Sequence, residues 1–223
     1  RGNGLSQIAP IPDITQPVLL PGEEVQADVV IKNDGVGHSF PGGTLDSNEC
    51  WVEFVVTDDR GNKVASNGLV KDDGSLDGGS HVLGALFLDE ENRPVTKRNV
   101  QDIRTLAWNK SIPSGGADVV RYRFRVPENL NQLTISVRLR YRKFNEPFRK
   151  FACATHPGGF PRGCPELPIT DIDTASLILR VSADRTVEVE SKFEADPEIL
   201  NRFSNFGIGS LLQLDTASAE YAF

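Results

Sequence analysis

The sequence carries three histidines, His38, His81 and His156, which are the side chains best able to bind a metal or exchange a proton near neutral pH. His38 lies in the stretch GVGHSFPGGT at 35–44, where glycines and Pro41 allow backbone angles that other residues resist. The stretch therefore predicts a tight, shaped turn that holds the imidazole on a rigid sheet. Two interpretations stay open: His38 is a functional ligand, or it only hydrogen-bonds the backbone of its own loop.

A second candidate loop contains His156 and is bounded by Cys153 and Cys164. The loop is rich in proline and glycine and has little apolar content, so a disulfide between the two cysteines would tie together a segment with little core of its own. Such a disulfide would place the protein in an oxidising compartment. The remaining cysteine, Cys50, falls within an apolar strand pattern, which predicts a small buried side chain.

The other polar residues that could do chemistry have plainer explanations. His81 opens an apolar strand pattern, which favours a structural histidine. A group of acids could supply oxygen ligands to calcium, but their spacing is not that of an EF-hand and favours turn and surface acids: Asp46, Glu49, Asp72, Asp73 and Asp77. The sequence also lacks the motifs of serine hydrolases, zinc proteases and phosphate-binding loops. We therefore expect that the protein is not an enzyme.

Composition narrows the function classes further. The chain has 223 residues, a net charge of -7 and 39% hydrophobic residues, as expected for a loop-rich β protein. The alternating basic run at 138–143 indicates the solvated face of a strand, so nucleic acid is not an expected partner. No apolar run has the roughly 20 residues of a membrane helix. The chain begins at Arg1 without a methionine, which indicates a processed or cropped piece of a longer protein.

The elements that must position these residues are mostly short strands separated by turn signals. Alternating apolar patterns predict the strands 23–33, 50–58, 63–69, 81–88, 119–126 and 133–144, and a closing hairpin at 176–182 and 186–192. Residues 95–108 have helix-like spacing but no caps, and their structure stays ambiguous. The pattern predicts a mainly β protein, an antiparallel sandwich of immunoglobulin-like or jelly-roll-like type, spanning 1–193 with an extended N-terminal lead-in.

The last thirty or so residues, 194–223, change character and predict a helical hairpin. Asp196-Pro197 and Asp215-Thr216 are helix-start signals. The hairpin resembles the beginning of a tetratricopeptide repeat, with Ser210 in place of the usual tyrosine and the following residues at matching positions: Phe203, Phe206, Gly207, Ala219 and Phe223. This resemblance implies further repeats downstream and protein partners bound through the hairpin.

A longer set of residues carries a second resemblance, which covers about residues 20–145. It consists of GHSFPGGT at 37–44, Asp46, Glu49, Trp51, Val52, Asp58 and Gly61, then IP at 112–113, GADVV at 116–120, Tyr122, Phe124, VP at 126–127 and YRKFN at 141–145. Together these resemble the haem-free β domain that follows the haem-binding segment in a group of bacterial multihaem c-type cytochromes. The cysteine-bounded loop, 151–165, resembles an insertion and is not covered.

The resemblance implies a structural or docking domain of an electron-transfer protein in the periplasm or outside the cell. Its partner would be a multihaem cytochrome segment or subunit. This sequence contains no Cys-x-x-Cys-His motif, so covalent haem c would belong to an adjacent segment or chain. A haem held there still needs a second axial ligand, for which His38 and His156 are the candidates.

A second function class stays open beside the first. The chain could be an extracellular module that binds a protein or polysaccharide, or that serves assembly, without a redox role. The sequence leaves undetermined the redox partner, the number of haems in the full protein, and whether the chain forms a homo-oligomer or a filament.

Overall fold

A computed structural model describes residues 17–161, 163–184 and 197–223 of the chain. Its strands are β1 (Glu24–Lys32), β2 (Glu49–Asp58), β3 (Lys63–Asn67), β4 (Val82–Leu83), β5 (Ala85–Leu88), β6 (Thr105–Asn109), β7 (Ala117–Arg125), β8 (Gln132–Arg142) and β9 (Thr170–Arg180). Its helices are α1 (Glu146–Thr155), α2 (Pro197–Leu212) and α3 (Thr216–Ala222), and a 3-10 turn covers Val100–Asp102.

Two antiparallel sheets face each other across the main core. β1 and β7 form one sheet, while the other has the order β3-β2-β8-β9 with β4 beside the start of β2. Phe54 of β2 stacks on Tyr122 of β7 with ring centroids 4.1 Å apart, so the sheets contact through large apolar side chains. The core between them includes Val56, Phe124 and Leu133. The predicted mainly β, antiparallel sandwich is confirmed.

Two predicted segments differ in detail from the observed strands. Gly84 divides the predicted strand 81–88 into β4, which pairs with β2, and β5, which pairs with β6. The ambiguous segment 95–108 contains the 3-10 turn and most of β6 rather than a longer helix. β9 begins at Thr170, earlier than the predicted 176, and the second arm of the predicted closing hairpin, 186–192, lies outside the described residues.

The interpretation of the run 138–143 as a solvated strand face holds for Arg138 and Lys143, which are exposed, but not for Arg140 and Arg142. β8 pairs with β2 so that Arg142 lies opposite Glu49 and Arg138 lies opposite Glu53. Arg140 Nη1 donates to Glu53 Oε2 over 2.6 Å, and Arg142 is only 4% exposed. The arginines are instead neutralised across the strands, because cross-strand neighbours on one face approach closely enough to pair.

Helix α1 follows β8 directly and was not predicted. Asn145 caps its N-terminus by accepting a hydrogen bond from the Phe148 amide over 2.9 Å, and Pro147 lies in its first turn. Asparagine at the cap and proline in the first turn are standard helix-start chemistry. The sequence therefore contains a helix-start signal at Asn145 and Pro147, directly before the segment that was expected to be a loop.

The predicted C-terminal helical pair is confirmed. α2 begins at Pro197, and Asp215 caps α3 by accepting from the Ser218 amide over 3.2 Å. The pair packs on β7, where a Cβ on Gly209 would lie 2.8 Å from Val119 Cγ2 and Arg121 donates to Asp215 over 2.5 Å. Among the described helices, none combines the length and the apolar character needed to cross a membrane.

Candidate functional site

The loop that carries His38 is tied to the sandwich by a buried asparagine. Asn33 is 4% exposed, and its Nδ2 donates to the carbonyl oxygens of His38 and Ile112, each over 2.9 Å. Phe40 and Ile112 exchange backbone hydrogen bonds of 2.8 and 2.7 Å. These hydrogen bonds from the Asn33 Nδ2 and between Phe40 and Ile112 fix the local chain path, so both sides of His38 are anchored.

A second buried asparagine fixes the other half of the loop. Asn48 is 8% exposed and its Nδ2 donates to the Gly42 carbonyl over 3.1 Å, while the Phe40–Pro41 peptide bond is cis. The His38 ring lies directly against Gly42, since a Cβ there would come within 2.7 Å of His38 Cε1. Only glycine leaves room for the ring at that distance.

The hydrogen bond of His38 determines which nitrogen carries the proton. His38 Nδ1 lies 2.8 Å from the Ser39 carbonyl oxygen, which can only accept, so Nδ1 donates and the lone pair of the neutral ring lies on Nε2. The side chain is exposed, and Nε2 has no hydrogen-bond partner among the described residues. The ring does bond the backbone of its own loop, and that bond leaves the other nitrogen ready to bind a metal.

His156 shows the same local arrangement in a different setting. It follows the last turn of α1, and its Nδ1 donates to the Pro157 carbonyl over 2.7 Å. The Phe160 ring meets the imidazole edge-on with centroids 4.4 Å apart. A disulfide joins Cys153 to Cys164 and closes the loop that contains His156, consistent with an oxidising compartment. His156 is therefore also an exposed imidazole whose Nδ1 is bonded within its own loop and whose Nε2 is not.

His81 differs from the other two histidines because its side chain is largely buried and bonds a carboxylate on a neighbouring strand. Its Nε2 lies 2.6 Å from Asp118 Oδ2, and both side chains are largely buried. Burial would raise the pKa of the Asp118 carboxyl, but the hydrogen bond and charge of His81 hold that pKa below its ordinary value. The nitrogen that faces Asp118 is therefore occupied, as expected of a structural histidine.

The segments that carry His38 and His156 leave the sandwich at the same end. Glu49, the first residue of β2, pairs with Arg142, the last residue of β8, so the loop before β2 and the helix after β8 are neighbours. The Asn145 amide donates to the Ser47 carbonyl over 2.6 Å. The loop of His38 and the helix that precedes His156 thus leave the sandwich at the same end.

A buried ionic network beneath α1 was missed by the sequence analysis. Arg142 lies against the Glu49 carboxylate and donates to the Gly74 carbonyl over 2.7 Å, while Glu146 pairs with Arg149. Burial raises the pKa of Glu49 despite the nearby Arg142. The hydrogen bond from Arg149 lowers the pKa of Glu146. The register of β2 against β8 creates this network, and only the alternation of arginines at 138–142 hinted at it.

Two of the acids considered as calcium ligands, Asp73 and Asp77, serve turns in the structure, and Glu49 pairs with Arg142. Asp77 accepts hydrogen bonds from the amides of Gly68 and Leu69 over 3.0 and 3.1 Å, and Asp73 accepts from Ser75. Within the part of the chain that the structure describes, no group of three or more His, Cys, Asp or Glu side chains is placed to hold a metal ion. These contacts are typical of the turn chemistry that the sequence favoured.

Replacing Gly42 with alanine tests the placement of the His38 ring. The new methyl group would lie 2.7 Å from Cε1 and 3.1 Å from Nδ1, so we expect the ring to leave the Ser39 carbonyl. The nitrogen-15 NMR spectrum would then change from the Nδ1–H form to a mixture of both neutral tautomers, with loss of about 1 kcal/mol or less of stability. An unchanged tautomer in Gly42→Ala would contradict the contact. Gly37→Ala is the matched control, because nothing lies within 4 Å of a Cβ there.

Comparison with known proteins gives little beyond this geometry. No family model matches the chain, and no curated protein matches it. Among solved structures, the chain is similar to a penta-heme cytochrome c552 from Thermochromatium tepidum, with a TM-score of 0.46 and 10% sequence identity. The alignment covers 71% of this chain and 36% of that cytochrome. A likeness this distant supports no assignment of function, so the chain is best described by its own fold and side chains.

Proposed function

We propose that this chain is a non-catalytic structural and docking domain of an extracytoplasmic multihaem cytochrome system. In this role it contributes an exposed imidazole, His38 or His156, as the distal ligand of a haem held covalently by another segment or chain. The proposal builds on the resemblance of residues 20–145 to the haem-free β domain of such cytochromes.

The observation that supports the proposal most directly is the state of the two exposed imidazoles. Each donates Nδ1–H to the carbonyl of the next residue, over 2.8 Å for His38 and 2.7 Å for His156. Haem iron binds a neutral imidazole through a nitrogen lone pair, and a hydrogen bond from the other nitrogen orients the ring and makes it more basic. Both residues therefore fit the group. A bound haem would supply one-electron transfer.

A haem peptide provides a direct test of ligation. The probe is a c-type haem octapeptide whose iron carries one histidine and an open sixth position. Titrated into the protein, it is expected to give the low-spin visible spectrum of bis-histidine ligation. We expect His38→Ala or His156→Ala to weaken binding at least about tenfold, and the double variant to abolish the low-spin spectrum.

His81 supplies the control for this experiment. His81→Gln keeps a hydrogen-bond donor for Asp118 and is expected to bind the probe as the wild type does. Equal low-spin binding by the wild type and the His38→Ala/His156→Ala double variant would overturn the role of these histidines. A colourless natural protein of about this mass would remove the redox function itself.

The second candidate function is a protein-binding or assembly module without a redox role, and one observation favours it. The C-terminal helical pair exposes large apolar side chains that its contact with β7 does not cover: Leu200, Leu211, Leu212, Leu214, Tyr221 and Phe223. In the same pair, Gly207 packs against Phe223 and Ala222, which would suit the beginning of a tetratricopeptide repeat. This module would bind its partner equally well after loss of both exposed histidines.

A further inference from the structure

An open cavity of about 410 Å³ lies beside β7. It forms where β7 meets the end of β3, the segment that leads into β4 and the residue that follows β6. Within the described ranges, its wall includes no residue of the loops that carry His38 and His156, so the cavity is separate from the two exposed histidines. Its volume lies within the range of sites that bind small molecules.

Two side chains in the wall carry buried polar atoms without a hydrogen-bond partner. They are the hydroxyl oxygen of Tyr122 and Oδ1 of Asn67, neither of which is paired with any described residue. A buried polar group in this state is costly, so it usually meets an ordered water or a bound molecule. Tyr122 can donate a hydrogen bond, whereas Asn67 Oδ1 can only accept one. A ligand hydroxyl group does both, and it would therefore satisfy either atom.

The charges around Tyr122 favour a neutral group at this part of the cavity. Burial raises the pKa of Tyr122, and the negative charges of Asp77 and Asp118 raise it further, so the hydroxyl keeps its proton. An anion bound against this hydroxyl would be repelled by the same two carboxylates, whereas a neutral hydroxyl group would not. The part of the cavity next to Tyr122 therefore suits the hydroxyl groups of a ligand rather than a phosphate or a carboxylate.

The rim of the cavity differs, because it carries a cation that no carboxylate neutralises in the described part of the chain. Arg121 is compensated, since it pairs with Asp28 and Asp215. Lys110 is exposed, has no described carboxylate oxygen within 4.0 Å, and its Nζ lies 5.5 Å from the Trp108 ring centroid. A contact with an aromatic ring leaves the charge of the lysine in place. Lys110 can therefore bind a ligand carboxylate through a charge-assisted hydrogen bond.

We propose that this cavity binds a sugar acid, a hexuronate whose hydroxyl groups bond Tyr122 and Asn67 and whose carboxylate binds Lys110. An uncharged sugar would leave Lys110 without a partner, and a small inorganic anion would leave the buried atoms of Tyr122 and Asn67 unpaired. Because the cavity is open to solvent, it can accept a free hexuronate or one residue of an acidic polysaccharide. The site uses neither His38 nor His156, so it is independent of the haem role.

Isothermal titration calorimetry with defined sugars tests the proposal. The probes are glucuronate, galacturonate, mannuronate and guluronate, each as the free monosaccharide and as a linear trimer. We expect at least one of them to bind with a Kd below about 1 mM. Tyr122→Phe is expected to weaken that binding about threefold to tenfold. The variant should keep its stability, because the lost hydroxyl has no partner and the ring stays stacked on Phe54.

Removing the charge of either partner tests the role of Lys110. Lys110→Gln is expected to weaken binding of the uronate at least about fivefold. The methyl ester of the same sugar should bind the wild type and Lys110→Gln alike, since the double-mutant cycle then lacks one partner. Lys63→Gln is the matched control, because Lys63 is an exposed lysine of β3 outside the wall of the cavity. It is expected to bind every probe as the wild type does.

The outcomes identify the source of the ligand or overturn the site. Binding of a trimer but not of its monosaccharide supports an acidic polysaccharide, and equal binding of both supports a free sugar acid. Absence of binding by all eight probes overturns the proposal and leaves ordered water as the occupant of the cavity. Binding that both Tyr122→Phe and Lys110→Gln leave unchanged also overturns it. The haem peptide reports the proposed function separately, so failure of one proposal does not decide the other.

Discussion

Replacing Gly68 with alanine should cost about 3–5 kcal/mol of stability, from the sum of a strained backbone and a core collision. Gly68 has φ +77°, and a Cβ there would lie 2.1 Å from the Val52 carbonyl oxygen. Neither backbone can move readily, because Val52 is 1% exposed and the Gly68 carbonyl accepts a 2.9 Å hydrogen bond from buried Trp51. Urea denaturation followed by tryptophan fluorescence would measure the loss.

Gly61→Ala is the matched control for this prediction. Gly61 has φ +81°, and nothing lies within 4 Å of the point that a Cβ would occupy, so alanine meets the same backbone strain without a collision. We expect a loss of about 1 kcal/mol there. Equal losses at the two sites would mean that the close approach of Gly68 to β2 contributes nothing.

The sandwich could be predicted because its strands alternate clearly. In the segment that became β7, Val120 and Phe124 are buried while Arg121, Arg123 and Arg125 point outward, a pattern that only a half-buried strand explains. The helical pair was predictable for a similar local reason, since Pro197 and Asp215 are start signals. The local sequence pattern is enough to predict an element when the alternation of apolar and polar residues shows which side of that element is buried.

Contacts that depend on register could not be predicted in this way. Glu49 and Arg142 are 93 residues apart, and only the pairing of β2 with β8 makes them partners. The same is true of Asn33, whose amide reaches the Ile112 carbonyl 79 residues away. The sequence therefore predicted a shaped turn around His38, but it could not identify the asparagine that holds it.

The contacts between cations and aromatic rings along α1 show the same limit. The rings of Phe148 and Phe151 belong to α1, but Lys97 and Arg98 come from a segment about fifty residues earlier in the chain. The pattern of charges along the chain does not predict these contacts, because neither Lys97 nor Arg98 belongs to a recognisable local motif. His156 could be singled out by its type and loop, whereas its contact with the Phe160 ring needed the fold.

Replacing Glu146 with alanine should destabilise the protein by about 3 kcal/mol, because Arg149 loses its carboxylate partner and Arg142 loses one of its two. Glu146 is 4% exposed and pairs with Arg149, and Arg142 Nη1 lies 3.9 Å from its Oε2. The Glu146 carboxylate also links α1 to Arg142, the last residue of β8. We therefore expect Glu146→Ala to disturb His156 as well, seen as weaker binding of the haem peptide. Asp73→Ala, which breaks the exposed pair with Lys150, should change stability far less than Glu146→Ala does.

The dependence of stability on pH tests the same carboxylate independently. The hydrogen bond from Arg149 lowers the pKa of Glu146 below its ordinary 4.5, so its contribution is present above pH 4.5 and is lost as pH falls through the folded-state pKa. Glu49 has the opposite sign, because burial raises its pKa and its contribution is lost as pH rises. The difference in free energy of unfolding between wild type and Glu146→Gln isolates Glu146, and it should shrink between pH 7 and pH 3. A constant difference over that range would show that the Glu146 charge does not hold α1 in place.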